Sequence, residues 1–182
     1  MLRFASCLTI IALLALTAGC GTGSNPTDGP KNARGDAPAK VEDKKYLLSA
    51  EPAGVKGVLE TRKQAKDGDD VVMVGHIAGS TKPFVDGRAS FAVLDLSIKP
   101  CPPEEGCPTP WDCCCTPPDE LRAATAQVKF TGEDGKTVGV SAKELLGVKE
   151  LSVVVVKGKA NRDEKGNLTL VASGLFVRAD KN

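Results

Sequence analysis

The hydrophobic positions of this chain fall into three regimes. Near the amino terminus an unbroken apolar run, Ile10-Ile11-Ala12-Leu13-Leu14-Ala15-Leu16, follows the short basic start Met1-Leu2-Arg3. Residues 21–45 then carry almost no large apolar side chain and are rich in Gly, Pro, Asp, Lys, Asn and Ala. From residue 71 onward apolar residues return in short runs separated by Gly- and Asp-containing turns. The first regime predicts a secretory signal, because its core is too short to span a bilayer as a mature helix. The second cannot bury enough surface to offset its chain entropy, which predicts a disordered tether.

The third regime has the period of strands. It predicts strands over 71–78 (VVMVGHIA), 89–97 (ASFAVLDLS), 124–131 (ATAQVKFT), 152–160 (SVVVVKGKA) and 168–178. The third alternates cleanly, with Ala126, Val128 and Phe130 on one face and Gln127, Lys129 and Thr131 on the other. Gly75 marks a tight bend within the first. Gly132-Glu133-Asp134-Gly135 turns the chain, so that Thr137–Val140 can pair back, and 162–167 is a hairpin loop. A helix is expected over 50–66, with Pro52 in its first turn and Val55, Val58, Leu59 and Arg62 on one face, weakened by Gly54 and Gly57. Ser141-Ala142-Lys143-Glu144 reads as a capping box opening a short helix that stops at Gly147. Five strands with a helix between the third and fourth resemble the OB-fold, a small Greek-key barrel used for oligonucleotides and oligosaccharides, here with an additional helix before its first strand. A small β-sandwich is the alternative.

Leu16-Thr17-Ala18-Gly19-Cys20 resembles a bacterial lipobox. The resemblance implies cleavage before Cys20 and a diacylglyceryl thioether on its sulfur. Acyl chains bury methylenes at roughly 0.8 kcal/mol each, and two or three together anchor stably. Gly21, in the place where an Asp would signal inner-membrane retention, favours the outer membrane. The expected organisation is a signal peptide over 1–19, a lipidated tether over 20–45 and a β domain over 46–182 with a cysteine-rich loop over 98–123. Losing residues 1–19 removes Arg3 from the 24 basic residues, so 23 face 23 acidic ones. A formally neutral chain argues against nonspecific phosphate binding. Its six remaining aromatic residues are too scattered for a base-stacking platform, so oligonucleotide binding is the weaker alternative. Arg34-Gly35-Asp36 and the sequon at Asn167 are short enough to recur by chance.

The densest chemistry lies in 101–115, CPPEEGCPTPWDCCC, with five of the seven cysteines and the only tryptophan, Trp111. The spacing lacks the two separated C-x2-4-C pairs of common zinc sites, and the only histidine, His76, is distant in sequence. An exported chain meets an oxidising compartment, where disulfides are the default. A vicinal Cys114–Cys115 bond would close a strained ring, so each would bond outward. Three roles therefore stand open: a stapled loop, a soft-metal site for copper(I) or zinc drawing on Cys101, Cys107, Cys113, Cys114 and Cys115, and a redox-active thiol. A catalytic C-x-x-C is absent.

The run Cys107–Cys115, CPTPWDCCC, resembles a segment of the form CPTPWDYCC that precedes an OB-type third strand in a family of uncharacterised bacterial lipoproteins. The resemblance implies that Cys113, standing where an aromatic would be, is unpaired. The disulfide candidates are then Cys101 and Cys107 against Cys114 and Cys115, with two connectivities open. A bridge closing about 15 residues would contribute roughly 3 kcal/mol. Trp111 could stack on a ligand but more simply covers its own loop. His76 shares a strand face with Val72 and Val74 and is more simply a core histidine than a ligand. No phosphate loop, nucleophile elbow or zinc-protease motif is present. The expectation is a non-enzymatic lipoprotein that needs no cofactor. It would be held to membrane lipid through Cys20 and would bind or scaffold a glycan, peptide or protein of the envelope.

Overall fold

A computed structural model describes residues 45–179. The expected signal peptide, the lipid site Cys20 and all of the tether but Lys45 lie outside the described residues.

Strands β2 (Asp70–Ile77), β3 (Ser90–Leu94), β4 (Thr125–Phe130), β5 (Val153–Arg162) and β6 (Leu168–Val177) form one mixed sheet. Around it the order is β2-β3-β4-β6-β5, and β5 returns to β2 to close a barrel. β4 and β6 run parallel and the other barrel pairs antiparallel. This is the OB-type order, with α3 (Ala142–Leu146) between its third and fourth strands. The sandwich alternative is set aside, because closure puts every strand in one sheet.

The inward face of β4 is the predicted one: Ala126, Val128 and Phe130 are all buried. Phe130 meets Tyr46 edge to face at 5.0 Å and lies 6.3 Å from Phe91, so three rings centre the core. Two glycines let strands approach closely. A Cβ on Gly75 would stand 2.4 Å from the Leu94 carbonyl oxygen, and one on Gly158 2.4 Å from that of Val171. Gly158 sits at a register shift in the β5–β6 ladder, where the barrel turns a corner.

The structure corrects the helix expected over 50–66. Only α1 (Val58–Gln64) is helical, and Lys56–Gly57 instead form a short strand, β1, parallel to Met73–Val74 of β2. Gly54 takes φ +77°, which breaks a helix before it. Thr137 makes only an isolated bridge to Thr131, not a strand. Ser141 caps α3 by accepting the Lys143 amide at 3.3 Å rather than that of Glu144, and Gly147 ends it with φ +65°. A further helix, α2 (Pro118–Ala123), closes the cysteine loop.

Candidate metal centre

The loop between β3 and β4 is pinned to the barrel at both ends and in the middle. The Asp95 amide donates to the Ala124 carbonyl at 2.9 Å, and the Gly79 amide to that of Trp111 at 2.8 Å. Trp111 Nε1 donates to the Thr81 carbonyl at 3.2 Å. Beneath the loop lies a second apolar cluster of Ala78, Leu94, Ile98, Cys113 and Ala124, with Leu59, Trp111, Leu121 and Leu151 packed against it. Trp111 is half-buried and packs on this cluster.

Within this frame Asp112 organises the turn. Its carboxylate accepts the Thr109 hydroxyl at 2.7 Å and the Cys114 amide at 2.9 Å, and these bonds hold it below the usual carboxylate range. The next residue, Cys113, takes φ +55°. Its side chain is buried in the apolar cluster, whereas Cys114 and Cys115 are exposed. Burial pushes the Cys113 thiol up to about 11.

The other four sulfurs converge. Those of Cys101, Cys107, Cys114 and Cys115 all lie within 4.8 Å of one another. Cys114 Sγ is 3.5 Å from both Cys101 Sγ and Cys107 Sγ, and Cys101 Sγ is 4.0 Å from Cys115 Sγ. None of these is a bond, which would be about 2.05 Å long. The four sulfurs of the expected staple are thus gathered, though not at bonding distance. A tetrahedral zinc with bonds of about 2.3 Å holds its sulfurs about 3.8 Å apart, between the 3.5 and 4.0 Å of these contacts. The resemblance-derived four are the four brought together, and Cys113 is the one left out.

Their electrostatics are those of crowded sulfurs. Burial pushes Cys101 up, but its hydrogen bonds with the Cys115 amide and the neighbouring thiols prevail, holding it below the ordinary thiol range. Cys107 is pushed up to about 12, first by its hydrogen bonds to Cys114 and Cys101, and Cys115 to about 11 by Cys101 and Cys114. Several thiolates this close repel unless a cation joins them.

His76 is not part of this group. It lies across from Leu94 and Val153 in the sheet, is 6% exposed, and its Nε2 has no hydrogen-bond partner among the described residues. A separate cleft of about 600 Å³ opens on the barrel, lined by Tyr46, Asp70, Thr131, Gly158, Lys159 and Ala172 among others. No local pattern announces it, because its walls come from residues far apart in the chain.

Fold and site together define an OB-like barrel bearing a four-cysteine loop. No family model matches the chain, and no curated protein does. Among solved structures it is similar to the hypothetical protein ygiW from E. coli, at 15% identity and a TM-score of 0.37, covering 70% of this chain and 94% of that one. It is also similar to a Leishmania major Friedlin protein described as a "putative aspartyl-tRNA synthetase", at 7% identity and a TM-score of 0.38. That match covers 75% of this chain and 24% of the other. Likenesses this distant say nothing of function, and the fold rests on the strand order itself.

Proposed function

We propose that this chain is a lipid-anchored, non-enzymatic binding module of the bacterial cell envelope, and that what it binds is one soft d10 metal ion, held by Cys101, Cys107, Cys114 and Cys115. The observation that carries this reading is the mutual spacing of the four sulfurs, all within 4.8 Å. Zinc suits four thiolates best, since it takes them tetrahedrally without redox chemistry. Copper(I) is the alternative soft ion. Four protein ligands close the coordination sphere and leave no position for a substrate, which supports binding rather than catalysis. The anchor rests on the lipobox at Cys20, with the tether spacing the barrel from the membrane.

Nucleic acid fits poorly. Phe91 and Phe130 are fully buried and Tyr46 nearly so, which leaves few described rings free to stack on bases.

The test is metal analysis and native mass spectrometry of the full chain, purified in detergent under reducing, oxygen-free conditions. One zinc per chain is the expected result, with proton release when zinc is added to the metal-free form. Cys107→Ser should lose the ion. A chain that binds neither zinc nor copper(I) with its thiols reduced would overturn the reading.

A further inference from the structure

The four sulfurs differ in exposure and distance in a way that divides them into two pairs. Cys114 and Cys115 are exposed, Cys107 is half-buried and Cys101 is buried. Each exposed sulfur has a less exposed one within 4.0 Å: Cys107 Sγ at 3.5 Å from Cys114, and Cys101 Sγ at 4.0 Å from Cys115. The other complementary set would join Cys101 to Cys114 at 3.5 Å and Cys107 to Cys115, whose sulfurs lie within 4.8 Å but make no such close contact as Cys107 makes with Cys114. A vicinal bond between Cys114 and Cys115 is excluded by ring strain.

We infer that the cluster is a metal–disulfide switch, in which oxidation by a small disulfide closes Cys107–Cys114 and Cys101–Cys115 and expels the ion. This rests on the metal reading above. The chemistry balances as two thiol–disulfide exchanges. The Cys114 thiolate attacks a small disulfide such as oxidised glutathione, forming a mixed disulfide and releasing one glutathione thiolate. The Cys107 thiolate then attacks the Cys114 sulfur, which forms the Cys107–Cys114 bond and releases the second. Cys115 and Cys101 repeat the sequence. Four cysteine thiolates give up four electrons to two molecules of oxidised glutathione, and zinc leaves as the divalent ion because no thiolate remains to hold it. Cys113 takes no part, because its sulfur is buried in the apolar cluster away from the other four.

The device suits an exported protein. In the oxidising space where disulfides form, metal occupancy would report the local thiol–disulfide balance. The ion would be retained under reducing conditions and given up under oxidising ones.

The experiment uses the full chain in detergent, reduced, loaded with zinc and freed of excess metal. Oxidised glutathione is added stepwise, zinc release is read with a chromophoric chelator, and disulfides are mapped by mass spectrometry after alkylation of the remaining thiols. Expected are two equivalents of oxidised glutathione consumed per zinc released, fragments joining Cys107 to Cys114 and Cys101 to Cys115, and Cys113 alkylated. In Cys113→Ser the release should be unchanged. Zinc retained while the oxidant is present in large excess would overturn the switch and leave the metal reading standing. Release with Cys101–Cys114 and Cys107–Cys115 bridges would overturn the pairing. Failure of the reduced chain to take up zinc before any oxidant is added would overturn the metal reading, and the switch with it.

Discussion

Asp95 accepts the backbone amide of Leu59 at 2.9 Å, tying the end of β3 to the first turn of α1 across 36 residues of sequence. Gly57, which precedes the helix, has no side chain to cap it, so the cap comes from another element. The fit is close: a Cβ on Gly57 would stand 2.8 Å from an Asp95 carboxylate oxygen. The other carboxylate oxygen accepts the Ser97 amide at 3.0 Å and starts the turn into the cysteine loop. One side chain therefore orders both the helix and the entrance to the candidate metal centre.

Asp95→Ala should lower stability by about 1–2 kcal/mol, the usual cost of a lost cap. Burial pushes the Asp95 carboxyl up, but the amide bonds from Leu59 and Ser97 outweigh it and hold the group below its ordinary value of 3.8. A carboxylate depressed in the folded state contributes stability that is present above the unfolded value and lost as pH falls through the folded one. Urea melts of the native chain should thus weaken below about pH 4, and Asp95→Asn should weaken less steeply over that window. Identical acid slopes in the two proteins would disprove the assignment.

His76 predicts a second, higher window. Burial pushes its pKa below 6.5, helped by nearby Lys99 and only partly opposed by Asp95. The unfolded chain takes up a proton near pH 6.5 that the folded chain resists, so stability falls as pH drops from that value toward the lower folded one. His76→Leu should flatten the fall in melt midpoints as pH drops below about 6.5. It should also leave zinc stoichiometry unchanged, since His76 is outside the sulfur group. A loss of bound zinc in this variant would make His76 a ligand after all.

The two close strand crossings make sharper structural predictions. Gly75→Ala would set its Cβ 2.4 Å from the Leu94 carbonyl oxygen, and Gly158→Ala 2.4 Å from that of Val171 and 2.8 Å from the Ala172 Cα. Both neighbours are backbone and cannot rotate away. Each substitution should cost about 1–3 kcal/mol or more. Gly135→Ala meets nothing within 4 Å but sits at φ +73°, so its smaller cost comes from backbone conformation alone. Thermal melts of the three variants give the ranking, and a Gly135 variant less stable than the other two would reverse the argument.

The barrel was legible because its signals are local. Alternation in 124–131, the hairpin loop expected over 162–167 and the stop at Gly147 each depend on neighbours in sequence. The strand is found at Thr125–Phe130, Gly147 ends α3, and the loop begins one residue later because Arg162 still pairs with Leu168. The helix over 50–66 was over-extended, because Lys56 and Gly57 exchange helical geometry for pairing with β2, a partner no local pattern reveals. α2 was missed although Pro118 in its first turn, Asp119 and Glu120 following it and Arg122 near its end carry the ordinary signals. The cysteine density hid them. The candidate site was legible as a set of residues and not as a geometry. That Cys101 comes within 3.5 Å of Cys114 depends on Asp112, on the left-handed turn at Cys113 and on the anchor between Gly79 and Trp111.

That turn gives the prediction that most directly separates the five cysteines. At φ +55°, Cys113 sends its side chain into the apolar cluster while its neighbours Cys114 and Cys115 remain exposed. Cys113→Ala should therefore keep one zinc at unchanged affinity and lose about 1 kcal/mol of stability, the size of one small buried group. Cys114→Ala removes a sulfur that touches two others at 3.5 Å. Loss of an outer-shell partner alone typically weakens metal sites 10–100-fold, so loss of this ligand should exceed that while barely changing the stability of the metal-free chain. Competition against a chelator of known affinity reads the first quantity and chemical melts of the metal-free chain the second. If the two variants lose zinc equally, the set of four sulfurs is wrong and Cys113 belongs in the centre. If neither loses it, the metal lies elsewhere on the chain, and the gathered thiols await an oxidant rather than an ion.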